Sequence, residues 1–245
     1  MSQSLLGGNN NLETTKENLS MHMEAIPWHE IPKTFQEAII VSRKLGIRYL
    51  WIDSLCIIQD DKDDWVCESK AMAQVFQHAY LVIAATTAID DQAGLMTRIS
   101  TASISGMATH RLQEVPHRIS VRPSSGRMPL TTEVRDNDSN SFPLLSRSWI
   151  YQERLLAPRV LHFGHGELVW ECEEYQTCEC GHETSYPAKR MHIDALESKD
   201  LSIISKRWRD LVTEYFQLNL TYSSDKLPAL SGAAKQMLTH LPPSS

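Results

Sequence analysis

Apolar positions along this chain fall into short blocks whose period switches between helical and extended. Residues 1–30 carry many Asn, Gly, Ser, Thr and Glu and little periodicity beyond a short helix around residues 14–23. From Pro32 the pattern sharpens. Phe35, Ala38, Ile39 and residues 42–45 follow at helical spacing, and Gly46 stands where a C-terminal cap belongs. The run "IRYLWID" then predicts a buried strand ending in Asp53. Acids at residues 60–64 open a further helix with Met72, Val75, Phe76 and Ala79 on one face, and "YLVIAATTA" predicts a second buried strand. Strand, helix and strand at this spacing imply a parallel pair joined by a right-handed crossover.

Regularity weakens over residues 90–143, where only "HRISVRP" alternates like a strand. It returns with a helix over residues 148–156, a turn at Pro158 and the strand "RVLHF", which "ELVWEC" pairs antiparallel across "GHG". Trp208, Leu211, Val212, Tyr215 and Leu218 form a helical stripe, and a last helix follows "SSDKLP". The expected architecture is α/β: a mostly parallel sheet flanked by helices, with a β-containing insertion and a helical C-terminal extension. Its expected divisions are residues 1–30, weakly specified; 31–182, the α/β domain with its insertion at about 90–143; and 183–245, the helical extension.

Composition narrows the partners. A net charge of -6 argues against a phosphate-tracking surface, so nucleic acid is not expected. No apolar run approaches the roughly 20 residues that cross a bilayer, and the polar start lacks a signal-peptide plan, so the expected location is cytoplasmic with no membrane contact. Five cysteines, three of them within residues 172–180, suit reduced thiols or a metal better than a disulfide framework. Cys172, Cys178, Cys180 and His182 are candidate zinc ligands, although their C-x5-C-x-C-x-H spacing is not that of a finger or ribbon. Reduced cysteines in a β-hairpin are the competing reading.

The blocks "IPKTFQEAIIVSRKLGIRYLWIDSLCIIQDDKDDW", "AYLVIAATTA" and "SRSWIYQERLLAPRVLHF", in that order, resemble the fungal heterokaryon-incompatibility (HET) domain over most of residues 9–182. "NLTYSSDKLPALSGAAKQM" is similar to the segment that follows the domain in many members. The resemblance implies a role in self/non-self recognition ending in growth arrest or cell death, with homo-oligomers or other incompatibility proteins as partners. One departure stands out: members usually open with a block of the type Y-x-x-L-S-Y-x-W-G, where this chain has "MSQSLLGGNNN". In a doubly wound sheet that block would supply a central strand.

The HET domain is in turn distantly similar to the TIR domain, of flavodoxin-like fold, and that similarity implies NAD as substrate, with Glu153 in the position of the glutamate that cleaves the glycosidic bond. Residues four apart share a helical face, so Trp149 and Glu153 are expected together. A carboxylate stabilises an oxocarbenium-like state or activates water, and Trp149 can stack on a flat ring. Arg147 and Arg154 suit a pyrophosphate, Tyr151 and His162 are further candidate ligand contacts, and Asp53 ends its strand where open α/β sheets place ligand groups. The competing readings make Trp149 core, pair Glu153 with an arginine, and use Asp53 to cap a loop. Two further functions stay open: a non-enzymatic module acting by self-association or docking, and a small-molecule enzyme of fungal secondary metabolism using Trp149, His162 and His165.

Overall fold

The computed structural model describes residues 12–95, 104–109, 116–121, 142–165, 167–179, 181, 183–184, 187–220 and 222–241. Much of the expected insertion, together with Cys180, His182 and the opening "MSQSLLGGNNN", lies outside the described residues.

After a short helix α1 (Leu19–Glu24), α2 (Lys33–Lys44) ends as its sequence predicts. Gly46 takes φ +73°, its N–H bonds the Arg43 carbonyl at 3.0 Å, and the Ile47 N–H reaches back to Ser42 at 2.9 Å. These two bonds are a Schellman closure, which only glycine adopts without a Cβ clash. After the short helix α3 (Asp53–Cys56), Asp61 caps α4 (Lys62–Gln77), its Oδ1 accepting from the N–H groups of Asp63 and Asp64 at 3.0 and 3.4 Å.

One five-stranded sheet has the order β1 (Val82–Ala84), β4 (Arg159–Phe163), β5 (Leu168–Cys172), β6 (Gln176–Cys178), β7 (Glu183–Thr184). A separate antiparallel pair, β2 (Ile104–Thr109) with β3 (Pro116–Val121), supplies the β content expected of the insertion. In chain order α5 (Ser148–Leu156) precedes β4, and α6 (Ala188–Glu197), α7 (Leu201–Tyr215) and α8 (Pro228–Thr239) follow β7. The α/β class holds, but among the described residues the parallel pairing of strands is confined to β1 and β4. Short turns join β4, β5 and β6, and turns of that length force antiparallel neighbours.

The second correction concerns "IRYLWID". Residues 47–52 are not a strand, although Ile52 is extended at φ -132°, ψ 123°. Their side chains alternate as a strand's do: Leu50 joins Ile83 of β1 in the cluster around Ala38 of α2, while Trp51 joins Val82 in the cluster around Phe76 of α4. What is missing is the ladder. Among the described residues, no main-chain N–H or C=O of residues 48–51 finds a hydrogen-bond partner, and β1 is the edge of its sheet.

The C-terminal helices close the core. Gln152 of α5 is buried, and its Oε1 accepts from the N–H groups of Gly232 and Ala233 in α8 at 2.6 and 3.3 Å. α8 lies so close that a Cβ on Gly232 would stand 2.4 Å from Ala73 Cβ of α4 and 2.8 Å from Gln152 Oε1. Among the described residues no helix is long and apolar enough to cross a membrane. Gly232→Ala is expected to force α8 off α4 and to destabilise the fold by about 2–3 kcal/mol, read as a lowered denaturation midpoint.

Candidate functional site

Between residues 45–54 and β1 lies a cavity of about 500 Å³, walled by α2 and α4 and lined chiefly by apolar side chains. Its acidic and basic lining comprises Asp53 at the start of α3, Asp91 after β1, Glu153 and Arg154 of α5, and His162 of β4, with the hydroxyls of Thr34, Ser42 and Ser54 beside them. A mostly apolar enclosure with a few convergent polar groups is the usual form of a ligand site.

Asp53 follows directly on the unpaired extended segment, and its Oδ1 accepts from the Ser54 N–H at 2.8 Å. Burial pushes its carboxyl above the ordinary value, opposed by that N–H and by the Arg147 guanidinium. Glu153 is displaced further. Burial, then the charge of Asp53, push it up to about 8 against the pull of Arg147. Arg147, itself partly desolvated, is held charged by both carboxylates and is the cation of this group. At neutral pH Glu153 is thus predominantly a neutral acid.

The other candidates separate. Trp149 is absent from the cavity lining; it packs between the α4 and α8 clusters, and its indole N–H donates to Asp225 Oδ2 at 3.3 Å. The expected Trp149/Glu153 partnership fails because the indole turns into the C-terminal helices while the carboxyl turns into the cavity. Tyr151 points elsewhere again, its hydroxyl donating to Glu214 Oε2 at 2.6 Å, where Arg207 also binds. Cys178 is disulfide-bonded, so it is not the reduced thiol expected, whereas Cys172 is free. Among the described residues no group of three or more His, Cys, Asp or Glu converges as metal ligands would.

Arg154 is largely committed within the fold. Its Nε donates to Glu171 Oε2 at 2.7 Å, although its Nη2 has no partner. His162 Nε2 lies 3.0 Å from the same carboxylate oxygen, and its Nδ1 lies 3.1 Å from Thr86 Oγ1. Burial opposes the Glu171 charge, but Arg154 and Lys189 outweigh it and hold the carboxyl well below the usual range. An ionised Glu171 only accepts, so His162 carries its proton on Nε2, and burial holds the ring neutral. Lys189, brought down to about 8 chiefly by burial, donates to the carbonyls of Arg154 and Ala157 at the C-terminal end of α5.

Sequence reasoning missed Glu171, Thr86 and Lys189. Glu171 left a readable trace, since it shares the inward face of β5 with Val169, and a glutamate there needs a buried cation. Trp51, read only as part of a strand, is the tryptophan that does line the cavity.

Two stability effects follow. Between pH 4.5 and about 8 the folded state holds a proton on Glu153 that the unfolded chain has released, so stability falls as pH rises through this window. Glu153→Gln removes that loss; the variant should gain on the order of 4 kcal/mol over the native chain near pH 8 and less than about 1 kcal/mol near pH 5, compared by thermal unfolding at both. Glu171→Gln should do the opposite, costing about 3 kcal/mol at neutral pH in denaturant titration, because Arg154 and Lys189 lose their buried counter-charge.

Residues 4–153, well over half of the chain, match the family model described as heterokaryon incompatibility protein (HET). No curated protein and no solved structure matches. The matched stretch contains most of the cavity lining, both helical walls and Asp53, and it ends on Glu153 itself. The chain belongs to the HET family, and a heterokaryon-incompatibility-type function is the general role this membership carries.

Proposed function

We propose that the protein serves self/non-self recognition by hydrolysing a nicotinamide dinucleotide at Glu153, consuming NAD and so arresting the cell. The observation that carries this reading is the placement of Glu153 in a largely apolar cavity beside Asp53, within the field of the Arg147 guanidinium. An oxidised nicotinamide ring is flat, largely apolar and cationic. The cavity offers it a largely apolar enclosure, Trp51 in the lining and the carboxyl groups of Asp53 and Glu153, whose ionisation burial disfavours.

Arrival of the cationic ring favours the charged form of Glu153, which then releases its proton. The carboxylate faces the ribose as the C–N bond breaks, stabilises the oxocarbenium-like carbon and takes a proton from the attacking water. Nicotinamide leaves with the bonding pair, and water supplies the hydroxyl that completes ADP-ribose. Arg154 is the guanidinium in the cavity lining; Glu171 engages its Nε, which leaves its Nη2 for a phosphate oxygen, while Arg147 acts on the acid pair as a counter-charge. His162, bound to Glu171 and Thr86, contributes shape to the cavity wall.

Incubating the purified chain with NAD should release nicotinamide, and Glu153→Gln should lower kcat/KM by roughly a hundredfold or more while remaining folded. Because the free protein must lose the Glu153 proton, kcat/KM should climb with pH and level off above about 8. Full turnover in Glu153→Gln, or none in the native chain, refutes the reading.

A further inference from the structure

Arg154 and His162 both line the cavity, and both are held by a single carboxylate oxygen behind it. Glu171 Oε2 accepts from Arg154 Nε at 2.7 Å and lies 3.0 Å from His162 Nε2, on the buried face of β5. Thr86 Oγ1 takes the other ring nitrogen at 3.1 Å. A guanidinium is planar, so fixing Nε also fixes the direction of its Nη atoms.

A donor is left over. Arg154 Nη2 is buried and, among the described residues, has no hydrogen-bond partner, an expensive condition for an ionised group. Charge is left over as well. Arg154 and Lys189 are two cations around the one carboxylate of Glu171, and His162 is neutral, so the cluster keeps a positive charge in excess beside a largely apolar enclosure. A ligand hydroxyl at Nη2 would answer the donor alone, whereas a ligand anion answers both the donor and the charge.

Resting on the nicotinamide reading above, we propose that Glu171 is a positioning residue that aims Arg154 at a ligand phosphate, so that the site takes phosphorylated nicotinamide nucleosides and discriminates against the unphosphorylated nucleoside. Glu171 touches no substrate in this arrangement and acts only through the direction of Nη2. In a nicotinamide nucleotide one ribose separates the cleaved bond from the phosphate. Glu153 and Arg154 are adjacent on α5, about 3.8 Å apart at Cα, so the two ends of that ribose fall to neighbouring residues.

Equilibrium binding to the full chain carrying Glu153→Gln, which suppresses turnover, compares nicotinamide mononucleotide with nicotinamide riboside, two ligands that differ by one phosphate. The mononucleotide should bind roughly tenfold or more tightly at neutral pH. Arg154→Lys, which keeps a cation for Glu171 but not the planar fork, should bring that ratio down to roughly threefold or less. Glu171→Gln should lower the ratio likewise and should have no further effect on it once Arg154→Lys is present. A general loss of folding or of α5 packing weakens both ligands together and leaves the ratio unchanged. Should Glu171→Gln not fold, Glu171→Asp, which keeps the charge but draws the oxygen back, replaces it with the same expectation. Equal affinity for the two ligands, no binding of either at about 1 mM, an unaltered ratio in Arg154→Lys, or additive effects of the two substitutions would overturn the proposal. Phosphate preference in a native chain that releases no nicotinamide refutes the hydrolytic reading alone, and equal turnover of riboside and mononucleotide refutes this proposal alone.

Discussion

The buried ion pair between Arg154 and Glu171 sets the rotation of α5, and the arrangement of the site depends on that rotation. Successive helical residues are about 100° apart, so fixing one direction fixes its neighbours. With Arg154 tied to the sheet, Glu153 enters the cavity, Gln152 meets the backbone of α8, and Tyr151 reaches Glu214 on α7. Lys189 secures the C-terminal end of the same helix through the carbonyls of Arg154 and Ala157. α5 is therefore held on every side, by polar contacts whose geometry is more restrictive than apolar packing.

That enclosure explains where sequence reasoning succeeded and where it did not. The ends of α2 and α4 were legible because Gly46 and Asp61 act locally: a positive-φ closure and a side-chain cap need no knowledge of the rest of the chain. β4 and β5 were legible for the same reason, their short connection dictating an antiparallel pair. Trp149 and Glu153 misled because a four-residue spacing still leaves about 40° of rotation and about 6 Å of rise between them, enough in a helix buried on all sides to reach different neighbours. Residues 47–52 misled for the opposite reason. Their composition and alternation are those of a strand, but a strand is defined by its partner, and composition cannot supply one. Lys189 left no local signal, since its role is fixed by helix ends far apart in the sequence.

The charge arrangement is also uneven across α5. On the sheet side, Glu171 is balanced by Arg154 and Lys189 and held firmly ionised. On the cavity side, Asp53 and Glu153 both feel the Arg147 guanidinium, yet burial pushes both toward the neutral form. Two adjacent carboxyls in an apolar wall reduce stability whenever both ionise, and a fold under no other demand would replace them. Their separation from the well-compensated Glu171 network, only one residue away along α5, means that the cavity side is poised to respond to an added cation while the sheet side is not.

The two properties of the cavity meet at Asp53. Residues 48–51 run without interruption into it, so the ordering of that open main chain is transmitted to the position of its carboxyl by covalent connection alone. The charge on Glu153 depends in turn on Asp53, because their repulsion is the second cause of its raised pKa after burial. The open edge and the acid pair are thus joined by the six consecutive residues 48–53 rather than by a long path across the fold.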